Sequence, residues 1–323
     1  MNAARFPSYP VEPAIRALLK IRPDFDSITV DIVGCGNTFG SLLSACRLHD
    51  ERTFNFGVER VGSTIFLVRQ TPPGELIENV RGYGHSFPDV YSTWPRDVKG
   101  SASHQRLIQY NFAGLRCVVR SETDGYLPDR LPIVHDSSVL KRDEKTLDDA
   151  INSLTVVHAV KAASSKLSVQ SAGQLIPQEA IFDLKTRSTR REVDMDEFLP
   201  RLWVNQTPNF VIARHTSGRF EQKDIEIRNV KPDVRRWQSR NQAVLLRLKS
   251  VLKKLIEITS QKGNTRVQVC RVGIGPLQIT KPTKEWTVLP SELKARWEEK
   301  EVSNEQKAGE SDSGEENADY LKF

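Results

Sequence analysis

Apolar and polar positions along this chain follow two different periods, and each period predicts an element. In "LRCVVRSETDGYL" (115–127) they alternate, as in a strand with two unlike faces. "FNFGVERVGSTIFLVRQ" (54–70) reads as two strands around a Gly62–Ser63 turn, and "NFVIARHTSGRFEQKDIEIRN" (209–229) as a second pair turning at Ser217–Gly218. "EAIFDLKTR" (179–187) and "TRVQVCRVGIG" (265–275) are further strands. The helical period is clearest in "DVRRWQSRNQAVLLRLKSVLKKLIEI" (233–258). There Trp237, Val244, Leu245, Leu248, Val251, Leu252, Leu255 and Ile256 recur on one face, with Arg240, Arg247, Lys253 and Lys254 largely off it. Shorter helices are expected in "SASHQRLIQYNF" (101–112), burying Leu107, Ile108 and Phe112, and in "DEFLPRLWVNQ" (196–206). "SITVDIVGCGNTFGSLLSACR" (27–47) reads as strand, glycine-rich turn and short helix, and residues 75–100 as a Pro/Gly-punctuated loop.

This order implies an α+β fold with a mixed central sheet flanked by helices, joined by hairpins more than by regular βαβ units. Residues 1–297 are expected to form one domain. A Ser/Lys/Asp-rich stretch from Asp136 to Gly173, with a helical patch at "LDDAINSLTVVHAVKAA", reads as an inserted lobe. Charge separates the last segment. Residues 298–323 hold nine acids and three lysines, a net of −6, so the rest of the +6 chain carries +12. That tail is too polar to bury a core and is expected to be disordered. A basic body of this kind suits a polyanionic partner.

The chain has 323 residues and 38% apolar content, with no run of about 18 apolar residues, so no membrane partner is expected. Cys35, Cys46, Cys117 and Cys270 are scattered, without zinc spacing or a disulfide framework. Lone thiols suit a reducing compartment, nuclear or cytoplasmic.

Candidate chemistry centres on Asp183–Leu184–Lys185. In a strand Asp183 and Lys185 share one face, while Leu184 is expected to point the other way, into a core. Glu122 and Asp124 stand at the same i, i+2 spacing in "RSETDGY". If these two strands pair, three carboxylates and an amine meet at one edge. Hard cations such as Mg²⁺ or Mn²⁺ prefer such oxygen donors, and phosphodiester hydrolysis uses them. Acid–apolar–Lys also occurs at Asp97–Val98–Lys99 and Glu292–Leu293–Lys294, so the triplet alone decides little.

The wider pattern does more. "EAIFDLKTRS" followed by Trp203, Gln206, Pro208, an apolar strand at 210–213 and Gly218, with "SETD" upstream and "GYGHSFPD" at 82–89, resembles the DXO family of decapping enzymes and 5′-exoribonucleases. The chain looks like a divergent fungal member. The resemblance implies a PD-(D/E)XK nuclease core that removes RNA 5′ caps and degrades 5′ to 3′ with Mg²⁺ or Mn²⁺. It further implies Glu122, Asp124, Asp183 and Asp89 as metal ligands and Asp124, Asp183 and Lys185 as catalytic residues. Gln206, Arg187 and Arg190 would be substrate contacts, and RNA 5′ ends and a partner exoribonuclease the binding partners. Asp183 stands where the family has Glu, the interval from Asp124 to Asp183 is longer, and the "GYGHSFPD" match needs two extra residues.

Two other readings compete. A non-catalytic RNA-binding protein would use Lys185, Arg187, Arg190 and Arg191 on phosphates and Tyr83, Phe87, Tyr91 and Trp94 on bases. An S-adenosylmethionine-dependent methyltransferase would use the loop of Gly34, Gly36 and Gly40, although the following hairpin leaves Glu59 in mid-strand instead of at the strand end where a ribose would be held. A prenyl synthase lacks support, since Asp148–Asp149 are not a DDxxD motif. Deleting residues 298–323 is expected to leave soluble, folded protein; its loss from the soluble fraction would contradict a tail outside the core.

Overall fold

In the computed structural model of the protein, residues 8–47, 50–69, 82–84, 86–132 and 167–304 are described. A seven-stranded mixed sheet takes the order β11-β10-β2-β3-β1-β5-β4. Its strands are β1 (Ile32–Cys35), β2 (Phe54–Val61), β3 (Thr64–Arg69), β4 (His104–Phe112), β5 (Leu115–Thr123), β10 (Arg266–Arg271) and β11 (Gln278–Thr280). A four-stranded sheet, β6-β7-β8-β9, is built from Gly125–Tyr126, Ile181–Ser188, Asn209–Thr216 and Arg219–Asn229.

Helices cover both faces of the larger sheet. One face packs against α2 (Gly36–Ala45), α4 (Leu199–Val204), α5 (Lys231–Arg240) and α6 (Gln242–Ser260), in a core that includes Ile32, Val58, Val119, Leu202, Trp237 and Leu252. Phe210 and Ile212 of β8 enter that same core, so the smaller sheet shares it. The other face packs against α1 (Glu12–Ile21) and α7 (Ser291–Asn304) through Ile15, Leu18, Val33, Phe66, Val118 and Trp297. Trp297 is 4% exposed, and its indole N–H donates to Thr64 Oγ1 at 2.8 Å. Beside it, buried Glu59 of β2 accepts from the Val288 amide at 2.7 Å and pairs with Lys294, which fixes its role as an anchor for the C-terminal segment.

Several expectations change. Residues 104–112 form β4, not a helix. Leu107, Ile108 and Phe112 suit either a helix or a strand buried on both faces, and the Ala113–Gly114 turn decides. Both turn residues have positive φ, 53° and 87°, and β4 pairs with β5 from Phe112↔Leu115 to His104↔Thr123. The long helix breaks at Asn241 into α5 and α6, where the Asn241 side-chain amide donates to the Trp237 carbonyl at 2.8 Å. Parallel pairs exist besides the hairpins: β1 lies between β3 and β5, parallel to both, and β7 pairs parallel with β8 across α4. The loop at 75–100 contains a short helix, α3 (Ser86–Tyr91). The lobe expected at 136–173 lies outside the described residues except for 167–173, which have no regular structure. α7 runs to Asn304, into the segment expected as the acidic tail, whose remainder is also outside them.

The glycine loop between β1 and α2 has a packing explanation. A Cβ on Gly36 would fall 2.1 Å from Oδ1 of Asn205, the buried residue that ends α4. Only a glycine lets α2 approach α4 this closely. Gly36→Ala is expected to cost about 1–3 kcal/mol in urea unfolding, with part recovered in Gly36→Ala/Asn205→Ala; an unchanged midpoint in the single variant would contradict the contact.

Candidate active site at the seam of two sheets

The acids of the sequence pattern meet where one sheet hands over to the other. β5 runs out of the larger sheet, turns at Asp124 and continues as β6, which pairs with the start of β7 (Gly125↔Phe182). The Thr123 hydroxyl donates to the Phe182 carbonyl at 2.9 Å, and Gly125 leaves space for the Phe182 ring, which an added Cβ would meet at 2.6 Å. β5 and β7 are therefore joined through the two residues of β6, not as neighbours in one sheet.

At this seam Asp124 and Asp183 lie within hydrogen-bonding reach of each other. Asp124 Oδ2 accepts from the Leu184 amide at 2.6 Å, which fixes its carboxylate against β7. Asp183 is only 8% exposed, and its Oδ1 accepts from Arg201 Nη2 of α4 at 2.7 Å. The strand faces are opposite to the expected ones. Asp183 points to the side occupied by Phe198, Phe210 and Arg201, whereas Leu184 is half-buried and outside the core clusters. Burial pushes the Asp183 carboxyl up to about 8 against an ordinary 3.8, with Arg201 opposing and Asp124 reinforcing the rise.

Lys185 follows on the same face as Asp183. Its ammonium stands 5.3 Å from the centre of the Phe198 ring, and no carboxylate among the described residues forms an ion pair with it. Arg187, next along that face, is committed to Glu197 at 2.8 Å and keeps a buried Nε without a partner. Arg190 is exposed in the turn beyond β7. Gln206 lies past the end of α4 with φ of 49°. Its carbonyl accepts from Gln178, and it lines a cavity of about 370 Å³ with Gln109, Trp203 and Gln238. Glu122 is exposed on β5 opposite Gln105. Asp89 is exposed on α3, which packs on the β8–β9 hairpin through Phe87 and Phe220 at 4.6 Å. His104, opposite Thr123, is brought down to about 4 by burial and then by Arg106, so it is neutral at physiological pH.

Arg201 was not found from the sequence. Its only signal is one charged residue in the apolar run of α4, "LPRLWV".

A divalent cation can be tested against these donors. Among the described residues no three His, Cys, Asp or Glu side chains converge as metal ligands, so a closed cage of Glu122, Asp124, Asp183 and Asp89 does not fit. A hydrated Mg²⁺ or Mn²⁺ needs less, because such ions are held by one or two carboxylates plus waters and substrate phosphates. The two carboxyls of Asp124 and Asp183, within hydrogen-bonding reach of each other, offer that smaller donor set.

The fold places the chain among known proteins. It matches Rai1 of Scheffersomyces stipitis, solved with (3′-NADP)⁺ and a calcium ion, with a TM-score of 0.53 and 12% identity over 91% of this chain and 80% of that one. It matches a mutant Rai1 of S. pombe in complex with 3′-FADP at 0.52 and 10%, covering 85% and 78%. Dxo1 of K. lactis in complex with manganese gives 0.51 and 10%, covering 85% and 72%. The architecture is thus the α+β fold of Rai1 and Dxo1. By sequence, the chain belongs to the family described as Domain of unknown function (DUF8563), whose model matches residues 1–296. No curated protein matches it.

The raised Asp183 carboxyl has a consequence for metal-free protein. The folded state holds its proton more tightly than the unfolded chain does. Its contribution is therefore full below about pH 3.8 and is lost as pH rises through about 8. In EDTA, wild-type urea midpoints are expected to fall between pH 5 and 8 more steeply than those of Asp183→Asn; parallel pH profiles would contradict this environment.

Proposed function

We propose that this protein is a divalent-metal-dependent hydrolase of RNA 5′ ends, removing caps and then degrading 5′ to 3′. The observation that carries the reading is the close Asp124–Asp183 carboxyl pair at the sheet seam, with Lys185 next on the same strand face, in a chain with the Rai1/Dxo1 fold. The complexes of those structures with calcium, manganese and nucleotide-type ligands support a metal and a nucleotide substrate for this fold.

Asp124 and Asp183 would hold the metal. A divalent cation supplies charge neutralisation and Lewis-acid polarisation of a phosphoryl oxygen. The protein's own groups do the rest. The Leu184 amide fixes Asp124, so one carboxylate is preorganised and not recruited. Burial favours the neutral form of Asp183, and a cation held there would favour its carboxylate, the proton leaving to water. Lys185, free of a carboxylate partner among the described residues, would stabilise the negative charge on the oxygens of the attacked phosphoryl group. Arg201, half-exposed, shields Asp183 in the absence of substrate and can turn to a phosphate oxygen. The same reading places the protein in the nucleus or cytoplasm beside a partner exoribonuclease.

A second reading keeps the fold and the RNA without the chemistry. Its specific support is Arg201, which occupies an oxygen of Asp183 where a cation would compete, together with the missing third acid among the described residues. The methyltransferase reading has no such support, since Gly36 is accounted for by Asn205. No helix among the described residues is long and apolar enough to cross a membrane.

Purified protein is expected to process 5′-monophosphate, triphosphate or capped RNA with Mn²⁺ or Mg²⁺ and not with EDTA. Lys185→Ala and Asp124→Ala should each lower the rate by about 10²-fold or more. Their melting temperatures should change little, because both positions are partly exposed. Binding without turnover by the wild type would favour the second reading, and equal turnover by the variants would remove these residues from the chemistry.

A further inference from the structure

The cavity of about 370 Å³ between the β4–β5 turn, the end of α4 and the α5–α6 junction has no part in the proposed chemistry. It is lined by five carboxamides: Gln109 and Asn111 of β4, Gln206 after α4, and Gln238 and Gln242 of α5 and α6. Its apolar wall is Trp203 with Leu245, the indole braced edge-on by Phe112 at 5.3 Å. Gln109 pairs with Val118, five residues before Thr123 on β5, so this end of the hairpin stands about 17 Å from the seam.

The carboxamides are only partly used by the fold. Asn111 Oδ1 accepts from the Gly114 amide at 2.8 Å, and Gln238 Oε1 from the Trp203 indole at 3.2 Å. Gln206 donates to the Trp203 carbonyl, and Gln242 to the Gln238 carbonyl at 3.1 Å. Left without a partner among the described residues are both groups of Gln109, the NH₂ groups of Asn111 and Gln238, and the side-chain carbonyls of Gln206 and Gln242. Donors and acceptors thus stand together beside an aromatic wall.

Charge narrows the ligand. The one titratable residue of the lining is Tyr110, whose hydroxyl donates to the Val204 carbonyl at 3.1 Å and is kept neutral by burial. A charged group entering here would lose water without gaining a counter-ion, so the ligand is neutral. A volume of this size is that of a small-ligand site. A carboxamide donates to a ring nitrogen and accepts from the neighbouring exocyclic amine, which is how Gln and Asn read adenine. A flat two-ring base also covers an indole wall well.

We propose that this cavity is a nucleobase site, which takes adenine by its hydrogen-bonding edge, with the ring against Trp203. The site does not depend on the hydrolase reading. The base can be that of a free nucleoside or of an RNA strand, since the recognising chemistry is the same.

Calorimetric titration of the full chain in EDTA tests it. Adenosine should bind, and AMP should bind no more tightly, because no cation lines the cavity. Purine riboside, the same ligand without the exocyclic amine, should bind about tenfold more weakly. Gln109→Leu/Gln242→Leu, which removes amides at a half-buried and an exposed position, should weaken adenosine by about tenfold or more. Gln109→Leu alone decides the matter if the double variant fails to fold. Lys185→Ala should bind adenosine as the wild type does. An oligoadenylate that displaces adenosine would assign the base to a strand, and one that leaves it bound would assign the site to the free nucleoside. No adenosine binding, equal affinity for purine riboside, affinity undiminished in the glutamine variants, affinity lost in Lys185→Ala, or AMP bound tighter by tenfold would each overturn the assignment.

Discussion

The site depends on the seam at which β5 leaves one sheet and, as β6, enters the other. Thr123, by donating its hydroxyl to the Phe182 carbonyl, sets the height of β5 against β7. Gly125 lets the Phe182 ring close over the crossing. With those two contacts in place, Asp124 has no freedom to avoid Asp183, and the Leu184 amide holds it there. A pair of carboxyls pressed together beside a shared core is electrostatically unfavourable as two anions. A proton, Arg201 or a cation can relieve it. Arg201 is in place on Asp183, burial favours the protonated form of that carboxyl, and the chemistry proposed uses a cation.

Rigid surroundings make that choice matter. β7 is held by β8 over seven registered residues, and Phe210 and Ile212 of β8 are anchored in the main core. α4, which carries Arg201, is locked from the other side by α2 against Asn205. Asp183 therefore sits on a strand that cannot easily move and Asp124 in the turn pinned to it by the Leu184 amide, while Arg201 reaches Asp183 from a short helix on a long side chain. A substrate phosphate would exchange with Arg201 without disturbing the sheets.

Much of this was legible in the chain. Alternation placed β2, β3, β5 and β7 to β10, and same-face spacing linked Asp183 with Lys185. Asp124 was found by its spacing to Glu122, although the turn after Thr123 separates those two and only Asp124 reaches the pair. Three features were not legible, each for a physical reason. β4 was read as a helix because a strand buried on both faces loses its alternation. The orientation of Leu184 was inverted because a functional strand can turn its charged face inward when Arg201 and a second acid share the burial. The role of Arg201 depends on contacts between elements far apart in sequence, which no local pattern encodes.

The central claim is that Asp124 and Asp183 together form a cation site. Anomalous diffraction from crystals soaked in Mn²⁺ tests it directly. The account predicts a peak at the Asp124–Asp183 pair, with Arg201 withdrawn from Asp183 Oδ1, and no peak there in Asp183→Asn. Crystals without manganese at the seam, with Arg201 still on Asp183, would contradict it.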